Sequence, residues 1–166
     1  MALTSSTPVV LGIPCPDFKL ESVDDQVYSL SDFADSKALL IAFICNHCPY
    51  VQAIEDRLIA LNIEGLQRVG ICSNDSKNYP EDAPYNLLKR WREKNYGFPY
   101  LIDSTQTVAQ AFDAVCTPDL FLYDADRRLY YHGRIQELEL AVRDLLADKP
   151  APQNQAYSMG CSIKWL

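Results

Sequence analysis

Two cysteines separated by two residues, Cys45 and Cys48, are the residues of this chain whose types and spacing most directly permit chemistry. Asn46 and His47 lie between them, and Pro49 follows. A cysteine pair at this spacing can cycle between a dithiol and a disulfide, because a thiolate attacks a disulfide sulfur in such exchange reactions. The segment is therefore a candidate redox site.

The cysteine pair lies between a predicted strand and a predicted helix. Residues 38–44 form an apolar run with β-branched and aromatic members, which is typical of a buried strand. From Pro49 to about Leu66, apolar side chains recur at helical spacing. A proline suits the first helical turn, because its missing N–H would be unpaired there. The pair therefore lies at a helix N-terminus, where the helix dipole stabilises a thiolate.

We expect different roles for the two cysteines. Cys45 ends the strand, so we predict that its sulfur is the more exposed one and forms the attacking thiolate, while Cys48 resolves the mixed disulfide. A protonated His47 would favour the thiolate, stabilise the reduced form and raise the reduction potential. The alternative for His47 is a solvated turn residue with no electronic role.

The rest of the chain alternates between predicted strands and helices. The further predicted elements are a hairpin over residues 17–30, a strand over 66–72, a helix from 81 or 84 to 94, a short apolar piece over 98–102, a helix over 105–112, a hairpin over 120–132 and a helix over 137–146. This alternation favours an α/β fold whose sheet is covered on both faces.

Length and composition limit the class of protein. The 166 residues suit one domain with its own core, and 48% hydrophobic with 22% charged residues is typical of a globular protein. The net charge of -7, without a Lys/Arg cluster, argues against nucleic-acid and membrane partners. We find no signal-peptide pattern and no apolar run long enough to cross a bilayer. The expected setting is a reducing cytoplasm, where six cysteines are not read as a disulfide scaffold.

Several motifs that follow one another along the chain carry a family resemblance. They are Gly12–Phe18, Asn46–Tyr50, Ser73–Asp75, Pro99–Leu101, Cys116–Asp119 and Gly160–Trp165. Together they resemble the peroxiredoxin-like branch of the alkyl hydroperoxide reductase/thiol-specific antioxidant (redoxin) family of thioredoxin-fold proteins. The runs NHCPY and GCSIKW are its most specific parts, and the chain is shorter than the family pattern between Arg134 and Leu138.

The resemblance implies a fold and a domain organisation. The expected fold is a thioredoxin-like three-layer sandwich with a central mixed β-sheet flanked by helices and an N-terminal β-hairpin extension. Residues 1–166 would form a single redoxin domain, with residues 1–11 as an N-terminal arm and residues 150–166 as a C-terminal tail.

The resemblance also implies roles for residues outside the cysteine pair. In the thioredoxin superfamily, a Thr-Pro pair with a cis peptide bond faces the active cysteines, so Thr117 and Pro118 are expected to face the substrate. A cis bond before proline costs only about 0.5–1 kcal/mol. Cys116 would lie near Cys45, either as an accessory redox residue or as a packed side chain. Cys161 in the tail is either an internal redox partner or part of a surface plug.

The leading functional hypothesis is an enzyme, a thiol–disulfide oxidoreductase that uses Cys45 and Cys48 without a cofactor or metal. Its partners would be protein or low-molecular-weight thiols and disulfides, and it would be a monomer or a homodimer. Thioredoxins carry a tryptophan and a buried carboxylate where this chain has Ile44 and Leu39. A buried base for the resolving thiol is therefore not expected.

Two other hypotheses remain open. The first is a thiol-dependent peroxidase with antioxidant activity that uses Cys45, although Ala38 and Ala42 stand where peroxiredoxins carry proline and threonine. Counted back from Cys48, the same two positions hold Ile41 and Cys45. The second is a copper-type metal-binding module, because thiolate and imidazole ligands suit Cu(I) and zinc.

Overall fold

The computed structural model describes residues 3–166, and residues 1 and 2 of the predicted N-terminal arm lie outside the described residues. The strands are β1 (Leu3–Ser5), β2 (Lys19–Ser22), β3 (Val27–Ser29), β4 (Ala38–Phe43), β5 (Leu66–Cys72), β6 (Tyr100–Ile102), β7 (Cys116–Thr117), β8 (Asp119–Tyr123), β9 (Leu129–His132) and β10 (Met159–Ser162). The helices are α1 (Pro49–Ala60), α2 (Pro84–Glu93), α3 (Thr107–Phe112) and α4 (Leu138–Leu146). Among these helices, none has both the length and the apolar character needed to cross a membrane.

The main sheet has seven strands in the order β3-β2-β6-β5-β4-β8-β9. Strands β4, β5 and β6 run parallel, while the outer strands pair antiparallel. The hairpin β2–β3 extends one edge, and the hairpin β8–β9 extends the other. This arrangement confirms the predicted α/β fold with a central mixed sheet and an N-terminal hairpin.

Strand β4 lies in the middle of this sheet and separates two halves of the core. Its side chains alternate, so Leu39, Ile41 and Phe43 join the cluster that contains residues of α3. Leu40 and Ala42 join the other cluster, which contains residues of α1, α2 and α4. A strand that is buried on both faces is rigidly held, and its carboxyl end leads directly to the cysteine pair.

The helix after the cysteine pair is shorter than predicted. It ends at Ala60, because Leu66 already pairs with Ala38 as the first residue of β5. Gly65 makes the connection with a φ of +93°, a conformation that favours glycine. The predicted helix boundary at about Leu66 is therefore wrong.

A second sheet forms where the sequence pattern indicated only an arm and a tail. Its order is β1-β10-β7, so the tail strand β10 lies between a strand of the N-terminal arm and the strand before Pro118. The sequence of β10 is Met-Gly-Cys-Ser, and it lacks the β-branched and aromatic residues that mark strands. Its pairing is decided by long-range contacts, which local sequence patterns do not report.

Candidate thiol redox site

Cys45 and Cys48 lie on the connection from β4 to α1, as predicted. Cys48 is the N-cap residue of α1, and Pro49 is the first residue of the helix. The exposed fractions are 1% for Cys45 and 0% for Cys48. Both side chains are covered, so exposure does not distinguish the two sulfurs, and the predicted greater exposure of Cys45 amounts to 1% at most.

The tail strand β10 supplies part of this cover. It pairs antiparallel with β7, with Cys161 opposite Thr117. The sulfur of Cys161 lies 2.7 Å from the sulfur of Cys48. A Cβ atom on Gly160 would lie 1.8 Å from the carbonyl oxygen of Thr117, so only glycine permits this close approach of the two strands.

The peptide bond between Thr117 and Pro118 is cis, as predicted. The hydroxyl oxygen of Thr117 lies 3.5 Å from the sulfur of Cys45, and its carbonyl oxygen lies 3.4 Å from the sulfur of Cys48. The residue before Pro118 therefore contacts both members of the cysteine pair.

The surroundings of Cys48 favour its thiolate. Hydrogen bonding from the Cys45 thiol lowers the pKa of Cys48 most, and donation by Cys161 and by the backbone N–H of Val51 lowers it further, against the effect of burial. The Thr117 carbonyl opposes these donors, since the thiol form can donate to it. Together with the N-terminus of α1, these hydrogen bonds favour the Cys48 thiolate and lower the pKa of Cys48.

The environment of Cys45 has the opposite effect. Its hydrogen bond to Cys48 raises the pKa of Cys45 most, followed by burial and by the negative charge of Asp82. The surroundings of the pair therefore favour a thiolate on Cys48, while the assignment of Cys45 as the attacking thiolate stays a prediction. Cys45 also stands three residues before Cys48, at the position where a peroxiredoxin carries its hydroxyl residue.

Asp82 is a buried carboxylate that no motif in the sequence indicated. It closes the 3₁₀ turn Pro80–Asp82 before α2, and its side chain has no exposed area. Its two oxygens accept hydrogen bonds from the backbone N–H of Asn46 at 2.7 Å, the side-chain amide of Asn74 at 2.9 Å and Nδ1 of His47 at 2.5 Å. A buried carboxylate is therefore present beside the cysteine pair although Leu39 occupies the thioredoxin position, because this carboxylate comes from a different part of the chain.

His47 is oriented by Asp82 and not by the sulfurs. Besides its 2.5 Å contact with Asp82, its ring stacks on Tyr79 with ring centres 5.5 Å apart. The side chain of His47 is 10% exposed, so the alternative of a solvated turn residue does not fit its burial. No spacing in the sequence signalled Asp82, which lies 35 residues from His47.

One group of side chains has the composition of a metal site. Ligand atoms of Cys45, His47 and Asp82 all lie within 4.8 Å of one another. The Asp82 oxygens already accept three hydrogen bonds, and the second sulfur, Cys48, is directed to Cys161. A metal ion would have to replace these hydrogen bonds, so the contacts favour thiol chemistry over metal binding.

The AhpC/TSA family model matches residues 11–132, which is more than half of the chain. The chain belongs to the AhpC/TSA family. The predicted membership of this family is thereby confirmed.

Named relatives of this AhpC/TSA-family chain include a disulfide-exchange protein. The thiol:disulfide interchange protein DsbE of Escherichia coli (strain K12) is 27% identical over 133 residues, which cover 77% of this chain and 67% of that protein. This similarity relates the chain to thiol–disulfide oxidoreductases at low identity.

Solved structures confirm the fold of this AhpC/TSA-family chain. An uncharacterized conserved protein from Geobacillus kaustophilus superposes with a TM-score of 0.97 at 39% identity, covering 100% of this chain and 97% of that one. A thiol:disulfide interchange protein of the thioredoxin family from Chlorobium tepidum TLS superposes with a TM-score of 0.68 at 18% identity, covering 84% of this chain and 99% of that one. The second similarity shows the fold alone, and the predicted thioredoxin-like fold is confirmed.

The remaining cysteines of this AhpC/TSA-family chain have different surroundings. The sulfur of Cys116 is buried and lies 3.8 Å from the carbonyl oxygen of Pro118. Cys15 is partly exposed, and its thiol contacts the carbonyl of Pro16. Cys161, by contrast, contacts a sulfur of the cysteine pair directly. These contacts favour packing for Cys116 and bring Cys161 against the cysteine pair.

Proposed function

We propose that this protein is a thiol–disulfide oxidoreductase that interconverts a Cys45–Cys48 dithiol and disulfide with protein or low-molecular-weight thiols. One observation carries the proposal: both sulfurs of the pair lie at the start of α1, within 3.5 Å of polar atoms of Thr117. Membership of the AhpC/TSA family and the similarity to DsbE support it.

The geometry supports Cys48 as the nucleophile. In the reductive direction, its thiolate attacks a substrate disulfide, a bond forms between Cys48 and one substrate sulfur, and the other substrate sulfur leaves as a thiolate and takes up a proton. The N-terminus of α1 stabilises the starting thiolate. This assignment replaces the expected one, in which Cys45 attacks.

Cys45 is then the resolving cysteine. Cys45 loses its proton and attacks the Cys48 sulfur of the mixed disulfide. The Cys45–Cys48 disulfide forms, and the substrate sulfur that was bound to Cys48 leaves as a thiolate. Because the pKa of Cys45 is raised, this step needs a base. Asp82 and its partner His47 lie within 4.8 Å of the Cys45 sulfur and are the groups that can accept this proton.

The test is turnover of a disulfide-containing peptide with reduced glutathione as the electron donor. We expect Cys48→Ser to abolish turnover, because no mixed disulfide can form without this sulfur. Cys15→Ser is the matched control and is expected to keep the wild-type rate. Wild-type turnover no faster than the uncatalysed reaction, or full activity of Cys48→Ser, would contradict the proposal.

A thiol-dependent peroxidase that uses Cys45 is the second candidate. The observation in its favour is the Thr117 hydroxyl, which lies 3.5 Å from Cys45 and supplies the donor that Ala42 lacks. The raised pKa of Cys45 weighs against it, because the thiolate is the reactive form. In a Cys48→Ser/Cys161→Ser background, where neither neighbouring thiol can condense with it, stoichiometric sulfenate on Cys45 after one equivalent of hydrogen peroxide would support this candidate, and its absence would exclude it.

The setting of this activity is part of the proposal. We propose the cytoplasm as the compartment, on the grounds of cysteine usage and an acidic composition. The oligomeric state, monomer or homodimer, stays a prediction. Analytical sedimentation of the purified chain would distinguish the two.

A further inference from the structure

The tail strand β10 occupies the backbone edge beside the redox sulfurs. It pairs with β7 in the register Cys161 to Thr117 and Ser162 to Cys116. An extended peptide substrate would use this same edge, because antiparallel pairing satisfies its backbone groups next to the cysteine pair. The tail is thus placed like a bound substrate.

The contact that the tail makes is a sulfur contact. The Cys161 and Cys48 sulfurs are 2.7 Å apart. This distance is shorter than a packing contact between two side chains and longer than a disulfide bond, which measures about 2.05 Å. Both side chains are at most 1% exposed, so the pair meets without intervening solvent. The burial and the distance bring a third thiol into reach of the redox pair.

Backbone and side-chain hydrogen bonds hold Cys161 in this position. On one side of it, the Ser158 hydroxyl donates to the Pro118 carbonyl at 2.7 Å. On the other side, the N–H of Ile163 donates to the Val115 carbonyl at 2.9 Å. The sulfur is therefore fixed by both flanks of the strand, and its approach to Cys48 does not depend on a mobile terminus.

We propose that Cys161 is a third redox cysteine, which takes over the disulfide from Cys45 by exchange at Cys48. The inference rests on the proposed function and adds a second resolving thiol to it. The sulfur of Cys161 attacks Cys48, the Cys48–Cys161 bond forms and the Cys45–Cys48 bond breaks. Cys45 leaves and takes up the proton that Cys161 gives up. One disulfide replaces another, so no external oxidant is consumed.

The exchange has a consequence for access to the site. A Cys48–Cys161 disulfide ties β10 to the start of α1 and closes the β7 edge covalently. A Cys45–Cys48 disulfide leaves the tail held only by noncovalent contacts. The position of the disulfide therefore determines whether an extended substrate can displace the tail.

The first test maps disulfides after oxidation with oxidised glutathione. The reduced full chain is oxidised, quenched with acid, alkylated under denaturing conditions, digested and examined by mass spectrometry. In the wild type we expect both Cys45–Cys48 and Cys48–Cys161, with the second growing at the expense of the first. Cys15→Ser should give the same pattern.

Variants of the tail strand test whether its docking is required. Gly160→Ala should lower the ratio of Cys48–Cys161 to Cys45–Cys48 by about tenfold or more, since the added methyl group overlaps the Thr117 carbonyl. Met159→Ala changes an exposed side chain of the same strand and should leave the ratio unchanged. An unchanged ratio in Gly160→Ala would overturn the role of the docked strand.

A pair of cysteine variants separates this inference from the proposed function. Cys45→Ser treated with oxidised glutathione should form Cys48–Cys161, because Cys161 displaces glutathione from Cys48. Cys45→Ser/Cys161→Ser should keep a stable glutathione adduct on Cys48.

The outcomes that contradict each proposal are distinct. A stable adduct on Cys48 in Cys45→Ser, with Cys161 alkylated, would overturn the role of Cys161 and leave the proposed function intact. Absence of the Cys48 adduct in the double variant, together with absence of Cys45–Cys48 in the wild type, would overturn the proposed function as well.

Discussion

At the scale of single residues, the site concentrates one negative charge on one of three neighbouring sulfurs. Hydrogen bonds from Cys45 and Cys161 lower the pKa of Cys48. The same contacts help to raise the pKa values of Cys45 and Cys161. Burial contributes most to the pKa of Cys161, which is raised to about 12. The reduced form is therefore stabilised as a Cys48 thiolate flanked by two thiols. This asymmetry supports the proposed roles of Cys48 as the nucleophile and of its neighbours as resolving thiols.

The stabilised thiolate leads to a prediction for the reduction potential. Stabilising the reduced form makes a disulfide more oxidising, so we expect the Cys45–Cys48 midpoint to lie above about -270 mV, the thioredoxin value. A glutathione titration of Cys161→Ser isolates this pair, and Cys15→Ser is the control for a general effect of losing a cysteine. A midpoint at or below about -270 mV contradicts the prediction.

The second prediction concerns the carboxylate beside Cys45. In a Cys48→Ser background, Asp82→Asn should lower the pKa of Cys45, because the negative charge that disfavours its thiolate is removed. Thiolate ultraviolet absorbance against pH measures the shift. Glu81→Gln is the matched control, since Glu81 is the exposed neighbour in the same turn. An unchanged titration midpoint of the Cys45 thiolate would contradict the prediction that the charge of Asp82 raises the pKa of Cys45.

At the scale of elements, the position of Cys48 depends on α1, because Cys48 is the N-cap residue of that helix. Glu55 on α1 is 3% exposed and accepts two hydrogen bonds from the Arg90 guanidinium, at 2.8 and 2.7 Å. The Tyr96 hydroxyl donates to the same carboxylate at 2.6 Å. These contacts fasten α1 to α2 and to the segment that follows it.

The Glu55 contacts give a prediction for stability. Glu55→Gln should lower the free energy of unfolding by about 1–3 kcal/mol, because Arg90 loses its partner in a partly buried site. Urea denaturation measures the change. The control Asp56→Asn removes the ion pair between Asp56 and Lys94. The Asp56 side chain is 85% exposed, so this variant should change the free energy of unfolding by no more than about 0.5 kcal/mol. Equal effects of both variants would contradict the prediction.

The same carboxylate predicts a pH dependence. Burial raises the pKa of Glu55, but the hydrogen bonds from Arg90 and Tyr96 and the nearby positive charges outweigh it, so the pKa is lowered. A lowered pKa adds stability above the unfolded value of about 4.3, and this stability is lost as the pH falls through the folded value. The difference between wild type and Glu55→Gln should therefore be largest near neutral pH and shrink in acid.

At the scale of the whole molecule, the two ends of the described chain meet over the redox site. Strand β10 lies between β1 and β7, and the N–H of Lys164 donates to the side-chain oxygen of Asn74, which also holds Asp82. Gln106 accepts from the N–H of Leu166 at 2.9 Å. The cover over the cysteines is thus linked to the hydrogen bonds that orient the site.

The cover predicts slow modification of Cys48 in the native protein. Alkylation by iodoacetamide should be limited by opening of the tail, and Ser158→Ala should speed it about fivefold, because a hydrogen bond of about 1 kcal/mol to the Pro118 carbonyl is lost. Met159→Ala is the control and should react like the wild type. Equal rates in all three proteins would show that the tail does not limit access.

Local sequence patterns predict most of the elements because they record neighbours in the chain. The strand before Cys45 and the helix after Pro49 follow from apolar periodicity and proline position, and the hairpin turn at Asp24–Asp25 follows from turn chemistry. Strand β10 has no such local signal. It forms because its backbone pairs with β1 and β7, which are far away in sequence.

The sequence by itself determined the α/β fold, the family and the position of Cys45 and Cys48 between a strand and a helix, because these depend on residues within a few positions of one another. Only the tertiary structure decided that hydrogen bonds lower the pKa of Cys48, that Asp82 is the buried carboxylate and that Cys161 meets Cys48 across 113 residues of chain. The physical reason is that burial, electrostatic fields and sulfur contacts depend on distances in space, which are set by how separate elements pack.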